Sequence, residues 1–64
     1  MEDLAKNLKV GDKFYSGSSI QEVTKIEKLT DLAITFRTKR VSPDYYEGNF
    51  FNRKRLDTQL QIIG

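Results

Sequence analysis

The clearest pattern of hydrophobic and polar positions in this chain lies between residues 32 and 40. Leu32, Ile34 and Phe36 alternate there with small or polar residues. A period of two places successive side chains on opposite faces of a β-strand. The pattern therefore predicts a strand with one apolar face and one solvent-exposed face, the latter carrying Arg37 and Lys39.

Shorter patterns before this strand predict two more strands, at residues 13–15 and 20–28. The second segment is rich in β-branched side chains, which favours a strand. Val23 and Ile26 are its apolar anchors, and their spacing of three predicts a bulge because it breaks strict alternation. A helix is the alternative, since residues three apart can share one helical stripe.

Turn-forming residues divide the second half of the chain. Residues 42–44, Ser-Pro-Asp, predict a turn because proline presets φ at its second position. Gly48-Asn49 lies between two aromatic pairs and predicts a type II′ hairpin. Leu56 and Leu60 stand four apart and predict a single helical turn before a short closing strand at 61–63.

The elements together predict one all-β domain over residues 1–64. Leu4 and Leu8 stand four apart behind an acidic start, which predicts a short N-terminal helical turn. Five short strands joined by tight turns are typical of a closed or nearly closed small barrel. The residues expected in its core are Val10, Phe14, Ile20, Val23, Ile26, Leu32, Ile34, Phe36, Leu56, Leu60 and Ile62.

Three segments resemble parts of the SH3-like barrels, including the KOW type. Val10-Gly11-Asp12-Lys13-Phe14, Gly17 and Val23-Thr24-Lys25-Ile26 resemble the opening of such barrels, and residues 56–63 resemble the turn and last strand that close them. The resemblance implies a five-stranded SH3-like barrel with a helical turn near the start and another before the last strand. Gln21-Glu22 stands where the second KOW glycine is expected, so no functional residue is carried over.

Composition narrows the chemistry that a chain of 64 residues can perform. A chain this short buries roughly 60% of its unfolded surface, and its stability is expected at about 3–10 kcal/mol. There is no Cys and no His, so disulfides, thiolate or imidazole metal sites and the commonest catalytic bases are excluded. We therefore expect no enzyme, no metal and no cofactor, and association of identical chains is a possible further source of stability.

Charge and hydropathy bear on partners and location. Lys plus Arg is 11 and Asp plus Glu is 9, a mild net charge of +2. No apolar run is long enough to span a membrane, and the start Met-Glu-Asp-Leu is acidic, unlike that of a secretory signal peptide. The expectation is a cytoplasmic protein that does not bind membranes.

Basic residues cluster in the second half, where aromatic residues also come in adjacent pairs. Adjacent residues of a strand face opposite ways, so one ring of each pair is expected to be exposed. Cations neutralise phosphates, and an exposed ring beside them can stack on a base. The candidate binding residues are Arg37, Lys39, Arg40, Tyr45, Tyr46, Phe51, Arg53 and Arg55.

Two functions from different classes fit this set of residues. The first is a nucleic-acid-binding module for DNA or RNA. The second is a protein-interaction module, such as a small inhibitor or adaptor, that uses the same surface or adds a partner strand at a sheet edge. A third possibility is structural: the charges keep a small protein soluble and the rings fill a thin core.

Overall fold

The computed structural model describes residues 2–63, which form one antiparallel sheet of six strands. The strands are β1 (Glu2–Leu4), β2 (Lys13–Ser16), β3 (Ser19–Leu29), β4 (Ala33–Ser42), β5 (Tyr46–Arg55) and β6 (Gln59–Ile63). Their order across the sheet is β1-β6-β2-β3-β4-β5, and every neighbouring pair is antiparallel. The prediction of a small all-β domain is confirmed.

The ends of the sheet differ from the sequence-based expectation. Within residues 2–63, β1 and β5 do not pair with each other, so the sheet is not closed into a barrel. The sixth strand, β1, occupies the start of the predicted N-terminal helical turn, which is present as a shorter 3-10 turn at Ala5–Asn7. The predicted helical turn before β6 is wrong. A tight turn closed by the Thr58 N–H on the Arg55 carbonyl, at 3.0 Å, stands there instead.

Main-chain hydrogen bonds connect the two ends of the sheet at one corner. The Ala5 N–H donates to the Thr58 carbonyl at 2.8 Å, and the Lys6 N–H donates to the Leu56 carbonyl at 3.2 Å. The Leu56 N–H in turn donates to the Leu32 carbonyl at 3.2 Å. The 3-10 turn, the turn before β6 and the β3–β4 connection are therefore held together without a strand ladder.

The long β3–β4 hairpin contains the irregularity that the apolar spacing predicts. The register between the two strands shifts at three points along β3, between Ile20 and Gln21, between Val23 and Lys25, and between Ile26 and Lys28. Bulges bend and twist the strand that carries them. The predicted bulge is confirmed, and it allows Val23 to be buried and Ile26 to be partly buried on the same side.

The predicted turn at residues 42–44 is confirmed, whereas the predicted hairpin at Gly48-Asn49 is wrong. β5 runs unbroken through this dipeptide. Gly48 does not adopt the positive φ that a type II′ turn needs at this position. The ring of Tyr46 lies over Gly48, where any Cβ atom would collide with it. The glycine thus allows a ring to lie on the strand and does not mark a turn.

The core lies between the curled sheet and the 3-10 turn. Phe14 and Phe36 meet edge to face in it, with their ring centroids 6.1 Å apart. Ile26, Leu56 and Ile62 are partly buried against this cluster. The buried apolar side chains are Ala5, Leu8, Phe14, Val23, Ala33, Ile34, Phe36 and Leu60.

Most of the predicted core is confirmed, but two members are wrong. Val10 is 63% exposed and Leu32 is 72% exposed. Val10 lies in the turn before β2, and Leu32 lies in the connection between β3 and β4. Strand alternation does not continue through a connection, so it gives no information on these two side chains. Ile20 is only partly buried.

A polar residue completes the buried side of β4. Thr38 is fully buried, and its hydroxyl donates to Gln21 Oε1 at 2.6 Å. Thr38 Oγ1 also accepts a hydrogen bond from Asn52 Nδ2 at 3.0 Å. The period of two that buries Ile34 and Phe36 continues to residue 38, so the sequence pattern already predicts that Thr38 faces the core. The hydroxyl links β3, β4 and β5.

Candidate nucleic-acid interface

Alternation along β4 places its basic side chains on the face away from the core. Ile34 and Phe36 are buried, while Thr35, Arg37 and Lys39 are partly exposed. This arrangement agrees with the period of two in the sequence. Two cations of β4 therefore point to the same side of the sheet.

Register with β5 extends this side. Arg37 pairs with Phe51, Thr35 with Arg53, and Ala33 with Arg55. Directly opposed residues of an antiparallel pair have their side chains on the same face. We call this side the outer face; its residues on the two strands are Thr35, Arg37, Lys39, Phe51, Arg53 and Arg55.

Each of three predicted basic residues lies over an aromatic ring. The Arg37 guanidinium carbon is 4.8 Å from the centroid of the Phe51 ring. The Lys39 ammonium is 5.3 Å from the centroid of the Tyr45 ring. Both distances lie within the roughly 6 Å over which a cation is attracted to an aromatic face. The structure thus pairs charge and ring on the outer face.

The third pair, Arg40 and Tyr46, does not belong to the outer face. These two residues oppose each other on the side of the sheet away from the outer face. The Arg40 guanidinium carbon lies 5.5 Å from the centroid of the Tyr46 ring. Arg40 is also engaged by Asp44, through a hydrogen bond to its carbonyl at 3.3 Å and a contact with its carboxylate at 3.4 Å. The geometry therefore assigns Arg40 and Tyr46 to closing the β4–β5 connection.

The rings of the outer face are open to solvent. Phe51 is 59% exposed and Tyr45 is 56% exposed. Phe50, the neighbour of Phe51, is partly buried and packs on Tyr46 with centroids 5.6 Å apart. Two exposed rings, each with a cation beside it, can accept a flat apolar group by stacking.

Carboxylates compensate the cations near these rings. Glu27 lies 3.0 Å from the Lys25 ammonium and 3.6 Å from Arg37 Nε. The hydrogen bond from Lys25, more than the neighbouring Arg37 guanidinium, lowers the pKa of the Glu27 carboxyl below its ordinary value. Glu27 therefore pairs with both Lys25 and Arg37, and Arg37 is only partly available to another anion.

A similar relay involves Lys39. Its ammonium donates to the Tyr45 hydroxyl at 3.2 Å, and that hydroxyl donates to Glu47 Oε1 at 3.0 Å. The hydrogen bond with Tyr45 raises the pKa of Lys39 above its ordinary value. Lys39 is therefore held beside the ring as a cation.

The uncompensated charge lies at the other end of the outer face. Lys28 and Arg53 make no ion pair within residues 2–63. Lys54 makes none there either, but it pairs with the buried Ile34 and so belongs to the opposite side of the sheet. Arg55 reaches the Asp57 carboxylate at 3.5 Å, but both side chains are largely exposed, so this pair contributes little. The positive charge of the outer face is therefore least compensated at this end.

A shallow groove of about 190 Å³ runs along this end of the outer face. The register of the three strands creates it, because Lys28 of β3 and Arg53 of β5 both pair with Thr35 of β4. Sequence analysis missed Lys28, because the row Lys28–Thr35–Arg53 depends on strand register and on the bulges of β3. We call this the basic groove; it is lined by Lys28, Thr30, Ala33, Thr35 and Arg53.

Two other features, a metal site and a membrane-spanning helix, are absent from the part of the chain that the structure describes. No group of three His, Cys, Asp or Glu side chains in residues 2–63 is placed to hold a metal ion. No helix in that range is long and apolar enough to cross a membrane.

Comparison with known proteins adds no assignment. No family model matches the chain, and no curated protein or solved structure matches it significantly. The contacts, charges and exposure of the outer face are therefore the only basis for inferring the function.

Proposed function

We propose that this protein is a non-enzymatic module that binds single-stranded DNA or RNA on its outer face. The observation that supports the proposal most is the presence of two exposed rings, Phe51 and Tyr45, on the side of the sheet that carries the basic groove, with Phe51 two residues from Arg53 of that groove. Single-stranded nucleic acid needs both features, because its phosphates bind cations and its unpaired bases stack on aromatic side chains. Duplex bases are already stacked and would leave the rings unused.

The roles within the site follow from its charges. Lys28, Arg53 and Arg55 would bind phosphates, and Phe51 and Tyr45 would stack on bases. Arg53 and Phe51 are two residues apart on β5, which is about 6.8 Å along a strand. That spacing is comparable to the separation of the phosphate and the base within one nucleotide, which the sugar holds apart. One nucleotide could therefore bind Arg53 by its phosphate and Phe51 by its base.

We also propose that β2 to β6 form an SH3-like arrangement. Four consecutive strands, β2 to β5, are neighbours in the sheet, and β6 returns to pair with β2. This arrangement supports the resemblance of residues 56–63 to the closing element of SH3-like barrels. The short β1 would then be an addition beside β6.

A second candidate function is protein binding, and one observation favours it. Leu32 is largely exposed although its position is fixed. The Thr30 hydroxyl accepts from the Leu32 and Ala33 N–H groups at 3.2 and 3.1 Å, and Leu56 binds the Leu32 carbonyl. A fixed exposed apolar side chain can anchor a partner with little loss of entropy. Affinity at such a site would depend only weakly on salt, unlike phosphate binding.

The first prediction concerns Arg53. Arg53→Ala should weaken binding to fluorescent oligothymidine, oligoadenosine and a mixed-sequence oligonucleotide by a similar factor. It should also flatten the plot of log affinity against log salt by about 0.7 for the lost phosphate contact. Anisotropy titrations at several salt concentrations measure both effects. Arg53→Lys retains the charge and should keep the slope; an unchanged slope in Arg53→Ala would show that Arg53 contacts no phosphate.

The second prediction concerns the rings. Phe51→Ala and Tyr45→Ala should each weaken binding of the same oligonucleotides by about 1–3 kcal/mol, since each removes one stacking surface. The salt slope should change little because no phosphate contact is lost. Tyr15→Ala is the matched control, because Tyr15 is also exposed but lies on β2. Absence of oligonucleotide binding by the parent at low salt would reject nucleic-acid binding and leave protein binding as the function to test.

A further inference from the structure

The free edge of β5 is a second surface with a defined chemistry. β5 is the last strand in the sheet order, so one side of it has no strand partner within residues 2–63. It is ten residues long, and an unpaired edge of this length offers a row of N–H and C=O groups to another strand. Phe51, one of the exposed rings, lies near its middle.

We infer that this edge pairs with the same edge of a second copy of the chain, with a two-fold axis at Phe51. The strands would run antiparallel, as the two-fold axis requires. An axis perpendicular to the sheet keeps the outer faces of both copies on the same side. Opposed residues must then belong to the same face, which restricts the possible registers.

Charge selects among these registers. An axis at Arg53, Lys54 or Arg55 would oppose cations to cations, which is destabilising. An axis at Asn52 would oppose Arg53 to Phe51, Lys54 to Phe50 and Arg55 to Asn49, so no cation of β5 would meet a carboxylate. The first three registers are therefore destabilised by like charges, and the fourth gains no ion pair.

Among axes within residues 50–55, the part of β5 that pairs regularly with β4, two registers remain, and Phe51 decides between them. An axis at Phe50 places Arg53 opposite Glu47 but opposes the exposed Phe51 ring to the polar Asn49. An axis at Phe51 opposes the two exposed Phe51 rings to each other and places Arg55 of each copy opposite Glu47 of the other. Aromatic pairs and opposite charges are both favourable across neighbouring strands.

The local geometry is compatible with this register. The central pairs would involve residues 50–52, which belong to the part of β5 that pairs regularly with β4. The irregularity opposite Lys39 falls at residues 47–49, so only the outer pairs meet it. The long side chain of Arg55 can span the displacement. The paired copies would present one continuous outer face with Phe51 at its centre.

Cysteine cross-linking tests the register directly, because the chain has no native Cys. In Phe51→Cys the two thiols would face each other at the axis, with Cα atoms about 4.5–5.5 Å apart, within the range of a disulfide. In Asn49→Cys or Arg53→Cys the identical residues would be about 13 Å apart along the strands. We expect a disulfide dimer from Phe51→Cys, little from either control alone, and a heterodimer when the two controls are mixed. Equal yields from all three variants, or preferential cross-linking of Phe50→Cys, would overturn the proposal.

Charge reversal tests the association of the unoxidised chain by sedimentation equilibrium. Glu47→Arg and Arg55→Glu should each weaken the dimer about tenfold or more, because each change affects two symmetric pairs. The double variant should recover the parent's affinity. A parent that stays monomeric throughout the concentration range, or a double variant no better than the single ones, would contradict the pairing. No nucleic acid enters either experiment, so the result is independent of the proposed function.

Discussion

Phe36→Ala is expected to lower the free energy of unfolding by about 3–5 kcal/mol, the usual effect of removing a fully buried aromatic side chain. Phe36 has no exposed surface and packs edge to face on Phe14. The total free energy of unfolding of a domain of this size is only about 3–10 kcal/mol. The variant should therefore be largely unfolded near room temperature, which urea titration followed by circular dichroism would show.

Phe51→Ala is the matched control for this change. It removes the same side chain from the opposite face of the sheet, where the ring is exposed. Loss of its contact with Arg37 should cost less than about 1 kcal/mol. The free energy of unfolding should be measured at a dilution where the chain is monomeric. A similar decrease in the two variants would mean that the two faces of the sheet had been assigned wrongly.

Thr38→Val is expected to lower the free energy of unfolding by about 1–3 kcal/mol. Valine has nearly the same shape, so packing is kept while the hydroxyl is lost. Gln21 and Asn52 would then each lose the hydrogen-bond partner that links them to β4. A partly buried polar group without a partner costs free energy of this order. Chemical denaturation measures the difference.

The control for this prediction is Thr24→Val on β3. The Thr24 hydroxyl also makes one hydrogen bond, to the Arg37 carbonyl at 3.2 Å, but the site is exposed and water can replace it. Its expected effect is within about 0.5 kcal/mol. If Thr38→Val were as stable as the parent, the three-residue hydrogen-bond network would contribute nothing to stability.

Local patterns predicted the strands well where one face is buried along the whole strand. The alternation around Ile34 and Phe36 gave both the strand and the outward direction of Arg37. The bulge in β3 was also predictable, because an apolar spacing of three cannot fit a regular strand with one buried face. Both results depend on near neighbours in sequence.

The errors arise where distant parts of the chain decide the structure. Gly48 resembles a turn residue, but the ring of Tyr46 needs its missing Cβ inside a strand. Phe51 lies beside Arg37 because of the register between β4 and β5, and no local pattern fixes that register. Most of the candidate residues could therefore be named from the sequence, but Lys28 and the division between the compensated cations and the basic groove could not.

The position of β6 has a consequence for how the chain folds. β6 lies between β1 and β2 in the sheet. The main-chain hydrogen bond from the Ala5 N–H to the Thr58 carbonyl therefore closes a loop that contains most of the chain. Neither β1 nor the outer edge of β2 can find its partner until this loop closes, and the entropy of closure opposes that step. Such non-local contacts are typical of proteins that fold in milliseconds to seconds. The molecule should therefore fold slowly for its length, with the β3–β4 hairpin able to form before the strands on either side of β6.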